Sequence, residues 1–167
     1  LMAGDGWAVI AASLVLAGLL AAIAVVDFRR MVIPNGLNLA LGLSGACFLL
    51  IARPDNLPEH LLAAAGFGLL FWLLREAHSR LRGATGLGMG DVKMAAAAAV
   101  WINPLLLPVL LFVASASALV FAGLRLAATG SSIMGTRIPY GPFLAIGLVS
   151  VWTLENFVLW SEDPTGW

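Results

Sequence analysis

The stretch Trp7 to Asp27, WAVIAASLVLAGLLAAIAVVD, decides the fold. Its apolar part, Trp7 to Val26, carries no charge, and it has about the 20 residues that a helix needs to cross a bilayer. A lone segment in lipid has to satisfy its own backbone hydrogen bonds, so the run reads as a membrane helix. It stops on a carboxylate, Asp27, followed by Arg29 and Arg30. The residues ahead of it include Asp5 and no Lys or Arg. A cleavable signal has a basic start and a shorter apolar core, so the run is expected to remain as a span.

The rest of the chain repeats this pattern. Of its 167 residues, 61% are hydrophobic and 11% are charged, and the mean hydropathy is +0.98. A soluble domain carries about 25% charged residues. A soluble fold is therefore excluded, and the expectation is one all-α, membrane-embedded domain over 1–167. Six apolar segments are expected, at 7–27, 37–52, 60–75, 91–103, 105–127 and 141–160. Turn signals separate them at Pro34-Asn35-Gly36, Pro54-Asp55-Asn56, Asn103-Pro104 and Pro139-Tyr140-Gly141-Pro142. The residues from Arg75 to Arg82, with Glu76 and His78, read as a solvated loop. Cys47 is alone in the chain; it forms no disulfide framework and is expected as a small buried residue.

Charge sets the orientation. Arg29, Arg30, Arg75, Arg80, Arg82, Lys93, Arg125 and Arg137 fall on one side of the predicted spans. Arg53 falls on the other, with Asp5, Asp55, Glu59, Glu162 and Asp163. The basic side is expected in the cytoplasm, with both termini opposite it and Asp27 and Asp91 at its membrane boundary. Trp7, Trp101 and Trp160 fall near the opposite helix ends, where aromatic side chains anchor at the interface. The small residues Ala95 to Ala99, Gly42 and Gly45 allow close helix packing in lipid.

Carboxylates at membrane depth are expensive, and their default reading is functional. Two of them can share one proton. The ionised member then takes a proton from water and the protonated one polarises a peptide carbonyl. Asp27 and Asp91 meet this requirement if helices one and four are neighbours. Helix dipoles favour negative charge at Asp91, which begins a helix, over Asp27, which ends one. This predicts that Asp27 holds the shared proton. Gly86, Gly88 and Gly90 leave little bulk ahead of Asp91, so that a substrate backbone can approach or the loop can close around it. The bland reading of either aspartate alone is a helix cap or an interfacial charge. His60 and His78 are far apart with no further ligands beside them, so no metal is expected. No nucleotide-binding fingerprint accompanies the glycines.

Three stretches carry a resemblance to a known family, the type IV prepilin peptidases, which are membrane aspartyl proteases of the Gly-x-Gly-Asp type. They are Asp27-Phe28-Arg29-Arg30-Met31-Val32-Ile33-Pro34-Asn35, Gly88-Met89-Gly90-Asp91-Val92-Lys93, and Ile138-Pro139-Tyr140-Gly141-Pro142-Phe143-Leu144-Ala145. The resemblance implies that Asp27 and Asp91 are catalytic. It implies that Gly88, Gly90, Lys93, Pro34, Asn35, Pro139, Tyr140 and Gly141 bind substrate or support the loops. Lys93 is expected to stabilise Asp91 or to anchor its helix, and Asn35 to cap helix two. The implied activity is removal of the short basic leader of a prepilin or pseudopilin at the cytoplasmic face of the bacterial inner membrane. No cofactor, metal or nucleic-acid partner is implied. The N-terminal region and paired cysteines of the larger, N-methylating members are not found in the sequence. The chain therefore resembles the compact, peptidase-only members associated with Flp-type pili. Four alternatives stand beside this reading: a fragment of a bifunctional peptidase/methyltransferase, a small transporter with the aspartates in a proton path, a non-catalytic assembly subunit, and a presenilin-like protease with other substrates.

Overall fold

Each apolar run becomes a helix, and each turn signal ends one. The computed structural model describes residues 5–82, 87–129 and 139–159. Six α-helices follow in order: α1 Asp5–Arg30, α2 Asn35–Ala52, α3 Leu57–Arg82, α4 Met89–Ala99, α5 Leu107–Thr129 and α6 Gly141–Thr153. Short 3-10 turns at Pro54–Asn56 and Pro104–Leu106 lead into α3 and α5, and a π-helical segment, Leu154–Leu159, prolongs α6. There is no strand among the described residues. Four helical stretches are long and apolar enough to cross a membrane: Gly6–Arg30, Asn35–Ala52, Pro54–Leu81 and Pro104–Ala128. The chain is an all-α, multi-pass membrane protein.

α4 is the exception that organises the rest. At 11 residues it is about 16 Å long by helical rise, roughly half the hydrocarbon thickness. It is sheltered from lipid by protein: α2, α3 and α6 all pack on it, and Met94, Ala95, Ala97, Ala98 and Ala99 are buried. Its small side chains allow this. A Cβ on Gly68 of α3 would lie 2.9 Å from the Ala96 Cβ, and one on Gly42 of α2 would lie 3.7 Å from the Ala97 Cβ. Past Ala99 the chain tightens, with Trp101 donating to the Ala98 carbonyl at 3.0 Å. This irregular backbone is tolerable at depth because it is buried in protein.

α1 runs antiparallel to α6. Trp152 Nε1 donates to Ser13 Oγ near one end, and Gly141 N meets Asp27 near the other. At the end remote from Asp27, Arg53 binds Glu155 Oε1 at 3.0 Å and Asn156 Oδ1 at 2.9 Å. The Glu155 Oε2 accepts the backbone N–H of Asn103 at 2.9 Å. Trp101 stacks on Phe48, and Trp152 meets both edge-on.

Three expectations are corrected here. Arg75 to Arg82 is helical, not a loop. Proline and glycine do not interrupt α3 after Gly68, and Arg80 pairs with Glu76 one turn earlier at 2.8 Å. Trp101 is no interfacial anchor. It is 2% exposed and donates its indole N–H to the Leu41 carbonyl, beneath Gly45, whose missing Cβ leaves the room. Cys47 is exposed, because the buried face of α2 is formed by Asn38, Leu41, Gly45, Phe48 and Leu49. Trp7 is exposed, as expected of an anchor; Trp160, Gly86, Arg137 and the acidic residues Glu162 and Asp163 lie outside the described residues.

Candidate active site

Asp27 sits in the last turn of α1, 4% exposed. Four residues on, Met31 donates its N–H to the Asp27 carbonyl at 2.8 Å and takes the left-handed conformation, φ 53°. That turn ends α1 and redirects the chain through Val32 and Ile33 to Pro34, which precedes α2. The Asp27 Oδ2 accepts the backbone N–H of Gly141 at 3.1 Å. Gly141 is the first residue of α6, where helical N–H groups have no partner in their own helix. Tyr140 precedes it; its carbonyl accepts the N–H groups of Phe143 and Leu144, and its hydroxyl lies 3.5 Å from Ser115 Oγ on α5. Pro139 is buried beneath this start.

Asp91 is the third residue of α4. Its Oδ2 accepts the N–H of Gly88 at 3.1 Å, the reach-back half of a capping box. Asp91 therefore does cap its helix with one oxygen. It is only half-buried, and it lies within electrostatic reach of Asp27.

Direct packing of α1 on α4 is slight at most. Each of those helices packs on both α2 and α6, and the α1–α2 connection closes the gap. Ile33, 5% exposed, fills it. A Cβ on Gly90 would lie 3.1 Å from the Ile33 Cβ, and one on Gly141 would lie 3.0 Å from the Ile33 Cδ1. The same Cβ on Gly141 would stand 2.7 Å from the Asp27 Oδ2, and one on Gly88 would stand 2.9 Å from the Asp91 Oδ2. A side chain at 90 or 141 would thus press on Ile33, and one at 88 or 141 on a carboxylate.

The helix-end asymmetry expected for the pair is also incomplete. α6 points its own N-terminus at Asp27, just as α4 does at Asp91. Both carboxylates therefore meet the favourable end of a helix dipole.

The supporting residues divide. Lys93 donates to the Asn35 Oδ1 at 2.8 Å and forms no ion pair with Asp91 among the described residues. Asn35 consequently does not cap α2: the helix starts at Asn35 itself, with Pro34 before it. The pair instead ties the starts of α2 and α4 together. Three contributors were not singled out from the sequence. Asn38 Nδ2 donates to the Gly90 carbonyl at 3.1 Å. Arg75 Nε donates to the Leu87 carbonyl at 3.2 Å. Ile33 is the third. Asn38 had a signal, as an amide one turn inside an apolar helix; Ile33 had none.

Similarity to known proteins covers the stretch that holds Asp27 and Asp91. The model of the type IV leader peptidase family matches residues 14–123. A prepilin leader peptidase/N-methyltransferase of Aeromonas hydrophila is 32% identical over 163 residues, 97% of this chain and 53% of that protein. One from Neisseria gonorrhoeae is 33% identical over 168 residues, 95% of this chain and 56% of that protein. The leader peptidase HopD of Salmonella typhimurium is 33% identical over 131 residues, 75% of this chain and 82% of that protein. The chain spans about half the length of the Aeromonas relative. No solved structure matches. By the family match and by these relatives, the chain belongs to the type IV leader peptidase family.

Proposed function

We propose that this chain is an aspartyl endopeptidase that removes the leader of a type IV prepilin or pseudopilin, of the Flp type, at the cytoplasmic face of the bacterial inner membrane. The observation that carries this reading is the convergence of Asp27 and Asp91 around Ile33, each accepting one backbone N–H from the start of a helix. The relatives named as leader peptidases support the substrate class. The basic residues flanking Asp27 and Asp91 support a cytoplasmic site. The peptidase step is the one proposed for these residues; HopD, of which the chain covers 82%, is named a leader peptidase.

In this mechanism one proton is shared by the dyad. The ionised carboxylate takes a proton from water, and the water oxygen bonds to the scissile carbonyl carbon. The protonated carboxyl gives its proton to the carbonyl oxygen. In the tetrahedral intermediate a proton passes to the amide nitrogen, and the C–N bond breaks. A carboxylic acid and an amine leave, and the dyad regains its shared proton. The glycines at 88, 90 and 141 leave backbone rather than side chain beside the carboxyls, so that an extended peptide can reach them.

The test is cleavage of an Flp-type prepilin in proteoliposomes by the wild-type chain and by folded Asp27→Asn and Asp91→Asn variants. Each substitution is expected to lower turnover by about 100-fold to 10,000-fold, the range of acid–base catalysis. Processing that survives in either folded variant removes that residue from the dyad.

A further inference from the structure

Asn38 is 5% exposed, on a helix of otherwise apolar buried residues. Its Nδ2 donates to the Gly90 carbonyl. A carbonyl only accepts, so this bond fixes which way round the amide sits. The Oδ1 is then turned away from Gly90. Among the described residues it is the one buried side-chain nitrogen or oxygen without a hydrogen-bond partner. A buried acceptor left in that state costs about 1–3 kcal/mol. A leucine has the same branched skeleton and no polar atom to leave unpaired, so bundle stability does not explain an amide here.

The bond itself does. Gly90 is the residue before Asp91, and Gly88 is two residues earlier. Gly88 precedes α4 and Gly90 is its second residue, so the first turn of that helix rests on two residues of wide backbone freedom, closed by a long bond of 3.3 Å from the Val92 N–H to the Gly88 carbonyl. Arg75 holds Leu87, ahead of the turn. Lys93 and Asn35 hold α4 beyond it. Gly88 binds Asp91 from within the turn. Asn38 grips the peptide that joins Gly90 to Asp91, and it does so from α2, which also packs on α1.

We propose that Asn38 is a positioning residue for peptide cleavage: its amide N–H holds the Gly90 carbonyl so that the Asp91 carboxyl stays in register with Asp27. This rests on the reading of Asp91 as a catalytic carboxyl. Misplacement of a reacting group by about 1 Å is enough to lower turnover about 100-fold.

The test measures kcat and KM separately for an Flp-type prepilin in proteoliposomes, using the full chain. Asn38→Leu is expected to lower kcat about 10-fold to 100-fold, with KM nearly unchanged and no loss of thermal stability. Asn38→Asp gives a readout that a structural role would not move. When protonated, its O–H donates to Gly90; when ionised, it sets one acceptor against another. The ratio of its kcat to that of the wild type is therefore expected to fall as pH rises. The ionisable groups on the packed elements include Asp27, Arg29 and Arg30 on α1, Asp91 and Lys93 on α4, and Glu59, His60, Arg75, Glu76, His78 and Arg80 on α3. Running the wild type at every pH divides out their own titration. A wild-type kcat in Asn38→Leu, or a ratio for Asn38→Asp that is flat with pH, overturns the proposal. If Asn38→Leu does not fold, the pH ratio decides alone. Asp91→Asn run in parallel separates the two readings. An active Asp91→Asn overturns both, whereas an inactive one beside a fully active Asn38→Leu overturns the positioning role only.

Discussion

The two ends of the bundle are built on opposite principles. At the end remote from the aspartates, large side chains interlock. Phe48, Trp101 and Trp152 pack ring against ring, His60 Nδ1 lies 2.9 Å from the Val100 carbonyl, and Glu155 is shared by Arg53 and Asn103. At the aspartate end the closest packing is made by glycines and one isoleucine, tied by the polar contacts of Asn38, Lys93 and Arg75. The comparison teaches that tightness and openness are allotted to different ends of the same helices. α2, α4 and α6 are held by large side chains at the remote end, and glycines stand against the carboxylates at the other.

The largest effect is expected from giving the bare end one atom. Gly141→Ala places a Cβ against the Asp27 carboxylate and Ile33. Turnover is expected to fall about 100-fold, by more than any drop in the folded fraction explains; prepilin cleavage assayed beside thermal unfolding checks this. A fully active Gly141→Ala would mean that the closeness at this end has no catalytic purpose. Next comes the remote end. Glu155→Ala removes an acceptor that serves α2 and the end of α4 together, and is expected to lower stability by about 2 kcal/mol, the scale of hydrogen bonds to charged groups. Thermal unfolding in detergent measures it, while turnover per folded molecule stays at the wild-type level; a matching fall in turnover would erase the division of labour between the ends. The smallest effect concerns Met31. A left-handed conformation costs a non-glycine residue about 1 kcal/mol, so Met31→Gly is expected to raise stability by at most about that amount. A lower melting temperature would show that the Met31 side chain contributes more than its backbone strain removes.

Much of this was legible in the sequence, because lipid leaves few options. A long uncharged run has to be a helix, and proline with glycine or asparagine ends it; hence all six helices were expected. Asp27 and Asp91 stood out because charge is rare at that depth. What escaped notice depends on contacts across the chain. Arg53 and Glu155 meet over a separation of 102 residues, and a lone arginine on the wrong side gives no hint of its partner. Trp101 looks like an anchor until α2 supplies the Leu41 carbonyl that takes its N–H. Asn35 looks like a cap until α4 brings Lys93 to it. α3 outran its apolar segment because helix formation past Arg75 needs only the absence of a breaker and pairs such as Glu76 with Arg80, whereas hydropathy registers only the part immersed in lipid.

Ile33 has no polar atom to offer the reaction, yet it touches the glycine beside each acid. It is wedged between the start of α6 and the start of α4, so that both glycines lean on one branched hydrocarbon. Shaving a methyl from it, or moving the branch, would loosen two helix starts at once without altering either acid. The shared neighbour of both is thus a residue that a search for reactive groups would pass over.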